Sequence, residues 1–229
     1  MVYIISELCG QWGGSVKRAE QMILQSKIAG ADAVKVQLWD TYKLPGENRE
    51  KWEYLSMTKD QLKRLYEFSQ NLNIDFFASP FDEERFEWVL DLGLKTNKIA
   101  SSMLKWDFDL CKRMVDSGLK TFISLGCWED QKLPFDKSNV YYFHCIPKYP
   151  HEFEEAINEM PKKFDKNISG YSDHTIGIEA CLEACNRGAK YIEKHYTISK
   201  DLQCQTESAH ICSMEQKDLE NLTQKLERF

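Results

Sequence analysis

Two histidines, His174 in "YSDHTIG" and His195 in "YIEKHYT", each follow a short apolar run, where an imidazole can ligate a cation or move a proton. Two lysines, Lys35 in "AVKVQL" and Lys98 in "NKIAS", stand inside apolar segments. A buried ammonium there needs an acid, a path for its head to solvent, or an anionic ligand. Serines recur at comparable places: Ser79, Ser101, Ser124 and Ser172. Lysine supplies a point charge and serine a hydrogen bond, the combination a phosphate or carboxylate requires. Two imidazoles completed by oxygen ligands would suit manganese, iron or zinc better than calcium.

Whether these groups converge depends on the elements that carry them. A short phrase recurs, a glycine followed within a few residues by an apolar run, at Gly30, Gly93, Gly118 and Gly188. Each follows a helix-like segment, as a left-handed helix C-cap does. Ser15 can cap a helix that carries Ala19, Met22, Ile23 and Ser26 on one face. Thr58 with Gln61, and Ser213 with Gln216, have capping-box spacing ahead of leucine-rich faces. Strands are expected over 3–7, 33–37, 74–78, 96–100, 120–124, 139–145, 168–172 and 190–195. Strand and helix alternating throughout one chain imply a parallel sheet. Repetition on this scale fits a closed (β/α)8 TIM barrel, residues 1–229 forming a single domain, better than an open sheet. No Gly-rich phosphate loop follows the first strand, which weakens a nucleotide-binding reading. The segment "CWEDQKLPFDKSN" is too turn-rich for a helix, so the helix after strand 5 is expected to be shortened or missing.

In such a barrel every strand opens at its C-terminal end onto the same face, where active sites lie. The polar strand ends are Glu7; Lys35 and Gln37; Ser79; Lys98 and Ser101; Ser124; His144; Ser172, Asp173 and His174; Glu193, Lys194 and His195. His174 and His195 close neighbouring strands, within reach of one cation.

Composition narrows the field. A net charge of −6 argues against a general nucleic-acid binder. No apolar run approaches a membrane span, and "MVYIISELCG" lacks a signal-peptide pattern, so a cytoplasmic protein is expected. The 8 cysteines form no CxxC pair and read as reduced core thiols.

The opening "ISELCGQWGGSVKRAEQMILQSKIAGADAVKVQ" resembles the N-acetylneuraminate (sialic acid) synthases, which condense phosphoenolpyruvate (PEP) with a sugar aldehyde. "FFASPFDEERF", "NKIASS", "YSDHTIG" and "IEKHYTISKD" resemble further motifs of that family, in order. The resemblance implies that Lys35, Ser79, Lys98, Ser101, Ser124 and Ser172 hold PEP. It implies that His174 and His195 ligate a divalent metal, manganese or magnesium. Glu7 would stand near metal and acceptor, and Gln37 and Tyr149 in the acceptor pocket. Departures concentrate on the acceptor side. Ser102 and Met103 replace a Gly-Glu pair, Gln11 and Trp12 an Asn-His pair, and Ala209 with His210 an Asp-His pair that touches the acceptor. Pro147 replaces a residue that is commonly asparagine or serine. The family's C-terminal antifreeze-like domain, a route to dimers, is not expected here; a homo-oligomer built on barrel helices stays compatible with the composition.

Each lost hydrogen bond to a sugar hydroxyl costs about 0.5–1.5 kcal/mol. The acceptor is therefore expected to be an aldehyde other than N-acetylmannosamine. Two alternatives from other classes are a non-catalytic barrel that binds PEP or another phosphometabolite, and a metal-dependent lyase or hydrolase using the same pocket.

Overall fold

The computed structural model describes residues 1–44, 50–202 and 210–226. Eight parallel strands close into a barrel in chain order: β1 (Tyr3–Glu7), β2 (Ala33–Leu38), β3 (Asp75–Pro80), β4 (Thr96–Ile99), β5 (Lys120–Ser124), β6 (Val140–Cys145), β7 (Gly170–Asp173) and β8 (Tyr191–His195). Closure is direct, with Tyr3 of β1 beside Tyr191 of β8 and Glu7 beside His195. Around it run α1 (Val16–Ile28), α2 (Lys59–Asn71), α3 (Glu83–Asp91), α4 (Met103–Trp106), α5 (Phe108–Asp116), α6 (Phe153–Glu159), α7 (Glu179–Asn186) and α8 (Gln216–Leu226).

The helices begin and end for local reasons. Ser15 accepts a hydrogen bond from the Arg18 amide, and Ala19, Met22, Ile23 and Ser26 form the buried face of α1. Thr58 and Gln61 complete a reciprocal capping box on α2. Gly30 and Gly188 follow α1 and α7 at φ 90° and 99°, the left-handed conformation that lets the chain turn back into the next strand. The Ser213–Gln216 box expected for α8 does not form. Met214 is still bridged to Tyr196 and the helix starts at Gln216, so the Glu215 amide is capped by the Asp218 carboxylate instead, at 3.1 Å.

No helix lies between β5 and β6, as the turn-rich sequence there predicts. Aromatic side chains take its place. Phe108 stacks on Trp128 and Phe135 at 6.1 and 5.1 Å, and the Phe135 amide and carbonyl both engage the Tyr142 hydroxyl, at 2.8 and 2.7 Å. Cys111, Cys127, Cys145, Cys181 and Cys185 are free thiols. Among the described residues no helix is long and apolar enough to cross a membrane.

Strand alternation sorts side chains into two environments. Ile4, Val34, Val36, Ile123 and Ile192 face outward into the core shared with the helices. Asp173 and Lys194 share that parity, so two polar residues expected at the mouth lie between barrel and helices. The Lys194 ammonium donates to Asp173 at 2.5 Å and to the Thr175 carbonyl at 2.6 Å, and the Tyr171 hydroxyl donates to the same carboxylate at 2.9 Å. His144 is also outward, its ring stacked on Tyr171 at 6.0 Å.

Breaking a buried pair from one side leaves a charge uncompensated, at a cost of about 3–5 kcal/mol. Lys194→Met and Asp173→Leu should each lower the urea midpoint by that equivalent, and the double variant should recover most of the loss. Additive losses in the double variant would show that the pair is not coupled.

Candidate active site

Inside the barrel the inward positions stack in layers. Ile5, Ala33, Phe77, Phe122 and Phe143 form an apolar plug, with Tyr3, Tyr141 and Tyr191 packed against it. Lys120 sits among these rings, its ammonium 4.7–5.3 Å from the centroids of Tyr3, Phe122, Tyr141 and Tyr191. This floor excludes water from below. The next inward residues are charged on β1, β2 and β8: Glu7, Lys35 and Glu193.

Glu7, Lys35, Lys98 and Glu193 meet on that floor, each at most 5% exposed. Lys35 contacts Glu7 and stands 3.2 Å from Glu193. Lys98 donates to the other Glu193 oxygen at 3.0 Å, and Ser172 donates to Glu193 at 3.0 Å. Lys98 also lies over the Phe143 ring at 4.3 Å. Glu7 is turned by its own loop: Cys9, at φ 31°, directs its amide back onto the Glu7 carboxylate at 2.7 Å.

The two carboxyls titrate in opposite directions. Burial raises Glu7, helped by the Glu193 charge, and Lys35 only partly offsets it. Burial would raise Glu193 too, but Lys35 and Lys98 together hold it well below the usual carboxylate range. Burial also lowers Lys98, which faces one carboxylate, whereas Lys35, between two, is held up against its own burial. One carboxyl is thus suited to carry a proton and the other to stay ionised.

His174 and His195 stand above this cluster with ring centroids 5.6 Å apart. His174 Nδ1 meets the Ile146 carbonyl at 2.6 Å and His195 Nδ1 meets the Gln11 amide oxygen at 3.4 Å. With Nδ1–H donated to those oxygens, both Nε2 lone pairs remain for a ligand, the arrangement metal-binding histidines use. Burial depresses both, His174 to about 4, so the imidazoles are neutral at pH 7. Among the described residues no third imidazole, thiol or carboxyl joins them in a cluster able to hold a metal. With both Nε2 atoms open, the pair fits a divalent cation.

Above lies a cavity of about 310 Å³, lined in part by Gln37, Trp39, Phe81, Ser101, Ser102, Trp106, Tyr149 and His195. Tyr149 lies against His174 at 4.0 Å and meets His195 edge-on at 5.8 Å. Gln37 is 3.5 Å from Glu7. Ser79 and Ser124 are buried on inward positions of β3 and β5, and the Ser79 hydroxyl has no partner among the described residues. Ser101 lies at the end of β4, within 3.8 Å of the Cys127 thiol.

Two expected pocket residues are elsewhere. Met103, 1% exposed, opens α4 and packs in the outer core. His210 bonds to Thr197 and the Ser199 carbonyl, at 3.1 and 2.9 Å, and lines a separate recess with Gln11 and Arg18. Ala209 lies outside the described residues. The sequence names Glu193 only as a polar strand end, and it does not point to Trp39, Phe81 or Trp106. Parity carried the signal: Glu193 alternates with His195, and Trp39 continues the inward series Ala33, Lys35, Gln37.

The pattern of the NeuB family matches residues 22–229. The chain belongs to the NeuB family. It is 30% identical to the N-acetylneuraminate-9-phosphate synthase of Drosophila melanogaster, the match covering 100% of this chain and 68% of that protein. It is 28% identical to the N,N'-diacetyllegionaminic acid synthase of Legionella pneumophila, covering 98% and 71%. The crystal structure of N-acetylneuraminic acid synthetase from Leptospira borgpetersenii superposes with a TM-score of 0.85 at 32% identity, over 99% of this chain and 83% of that one. These NeuB relatives are synthases, and the chain is an enzyme of the transferase class.

Glu193→Gln keeps the shape of the NeuB chain's central carboxylate and removes its charge. Lys98 then has no anionic partner, and the variant should be destabilised by about 3–5 kcal/mol. Added inorganic phosphate should raise its melting temperature more than that of the unaltered protein. An equal phosphate response in both would show that the lysines do not form an anion site.

Proposed function

We propose that this protein condenses phosphoenolpyruvate with an aldehyde, giving a 2-keto acid and inorganic phosphate. The observation that carries the reading is the pair Lys35 and Lys98, buried with Glu7 and Glu193 on a water-excluding floor beneath two neutral imidazoles. The similarity to sialic, legionaminic and pseudaminic acid synthases supports the same chemistry.

In this reading Lys35, Lys98, Ser79, Ser101, Ser124 and Ser172 hold the PEP carboxylate and phosphate. Glu193 yields part of its hold on the lysines as the anion arrives. C3 of the enol phosphate attacks the aldehyde carbon, forming the C–C bond and leaving a hydroxyl once the oxygen takes a proton. Water adds at C2, and the bond from C2 to the phosphate oxygen breaks, so the electron pair leaves with phosphate and C2 becomes the ketone. Glu7, with its raised affinity for a proton, is placed to give one to the alkoxide or take one from the water. Gln37 and Tyr149 would orient the aldehyde. Manganese or magnesium bound by His174 and His195 would polarise the aldehyde oxygen as a Lewis acid.

An acceptor other than N-acetylmannosamine is supported by Met103, which stands in place of the carboxylate expected opposite the sugar and packs in the core. The protein works on small molecules in the cytoplasm. A non-catalytic PEP-binding barrel is the second reading, favoured by the loss of that carboxylate and disfavoured by two ligand-ready imidazoles.

The test is phosphate release from PEP with manganese and a panel of aldoses and simple aldehydes. Release should require one class of aldehyde and should fall at least 100-fold in His195→Ala, with loss of calorimetric manganese binding and an unchanged circular dichroism spectrum. Tight PEP binding without turnover for any aldehyde would favour the non-catalytic barrel. Retention of manganese by the variant would refute the ligand assignment.

A further inference from the structure

A second recess, of about 560 Å³, opens on the face of the barrel opposite the mouth, beneath the first residues of β6, β7 and β8. Small-molecule sites run from about 300 to 1,000 Å³. Three lysines from three successive loops line it: Lys137 ahead of β6, Lys166 ahead of β7 and Lys190 ahead of β8. Lys137 also reaches Asp116 at 3.3 Å, in a pair exposed on both sides that water screens. Asp165 lines the recess too, but one of its oxygens is taken by its own loop, accepting from the Asn167 and Ile168 amides at 2.7 and 3.3 Å.

Between the lysines stands Ser169, 8% exposed, whose hydroxyl is buried with no partner among the described residues. A buried hydroxyl forfeits its hydrogen bond unless water or a ligand completes it. The remaining wall is aromatic. Phe164 is buried, and the Tyr141 and Tyr191 rings meet edge-on at 5.5 Å. Behind those two rings lies the Lys120 ammonium, 5.3 and 4.8 Å from their centroids, which adds positive potential to the wall.

Each feature selects part of a ligand. Several ammoniums around one hydroxyl suit a phosphate monoester, which carries about −1.5 to −2 charges at pH 7. Ring edges and faces beside it favour a flat aromatic body. The concave shape and the buried donor favour a small molecule over an extended polyanion. We propose that this recess binds a phosphate monoester of the mononucleotide class, its phosphate held by Lys137, Lys166, Lys190 and Ser169 and its ring received by Phe164, Tyr141 and Tyr191. The plug of Phe77, Phe122 and Phe143 separates this site from Lys35 and Lys98, so its occupancy is independent of the reaction proposed above.

The experiment is calorimetric titration of AMP, inorganic phosphate and adenosine into the full chain. One AMP should bind per chain, at least tenfold more tightly than phosphate or adenosine, and saturating PEP should change its affinity less than twofold. Lys166 and Lys190 are exposed, so a Lys166→Gln, Lys190→Gln double variant keeps the fold and should bind AMP at least tenfold more weakly. Ser169→Ala should weaken AMP at least threefold, a loss that surface charge alone would not produce. Displacement of AMP by PEP would place it at the mouth and overturn the inference. Unchanged affinity in either variant, or tighter binding of a single-stranded oligonucleotide than of AMP, would also overturn it.

Discussion

One carboxylate organises the interior of this barrel. Glu193 accepts from Lys35, Lys98 and Ser172 on an apolar floor, and it is the carboxylate that compensates Lys98 there. Two carboxylates and two ammoniums make the cluster close to neutral as a whole. That balance leaves both buried ammoniums compensated by carboxylates. Because Glu193 bears most of the positive potential, Glu7 is left with burial as its largest influence and titrates upward. The division between a carboxyl held low and one held high in its affinity for a proton follows from which lysines each can touch.

The barrel supplies that arrangement by register rather than by sequence proximity. Glu7 is level with Lys35 on one side and His195 on the other, and Ser172 is level with Glu193. The same rule that gathers these groups sends their neighbours outward. Asp173 and Lys194, each between two inward residues, pair under the helices and tie β7 to β8 from outside. The strand end that carries Glu193, Lys194 and His195 therefore serves two structures at once.

Much of this could be read from the sequence. Glycine-punctuated units, apolar strands and the turn-rich segment after strand 5 announced a closed barrel lacking one helix. Lysines inside apolar strands pointed to a buried charged cluster, because an ammonium there needs an acid or an anionic ligand. What residue type could not provide was direction. His144, Asp173 and Lys194 share the polar character of the mouth residues but have the opposite parity. Met103 and His210 occupy the expected positions along the chain, yet the turn of α4 and the bonds to Thr197 and Ser199 carry them away from the cavity. The α8 cap failed for a similar reason: a bridge at Met214 delays the helix past the point the spacing implied.

The site thus has a charged end and an aromatic end, and the charged end is where an anionic substrate would bind. The direct measurement is calorimetric titration of PEP into the protein and into Lys98→Gln, with folding of both checked by circular dichroism. One PEP should bind per chain, at least tenfold more weakly in the variant. Equal affinity in the two proteins would contradict binding at that end.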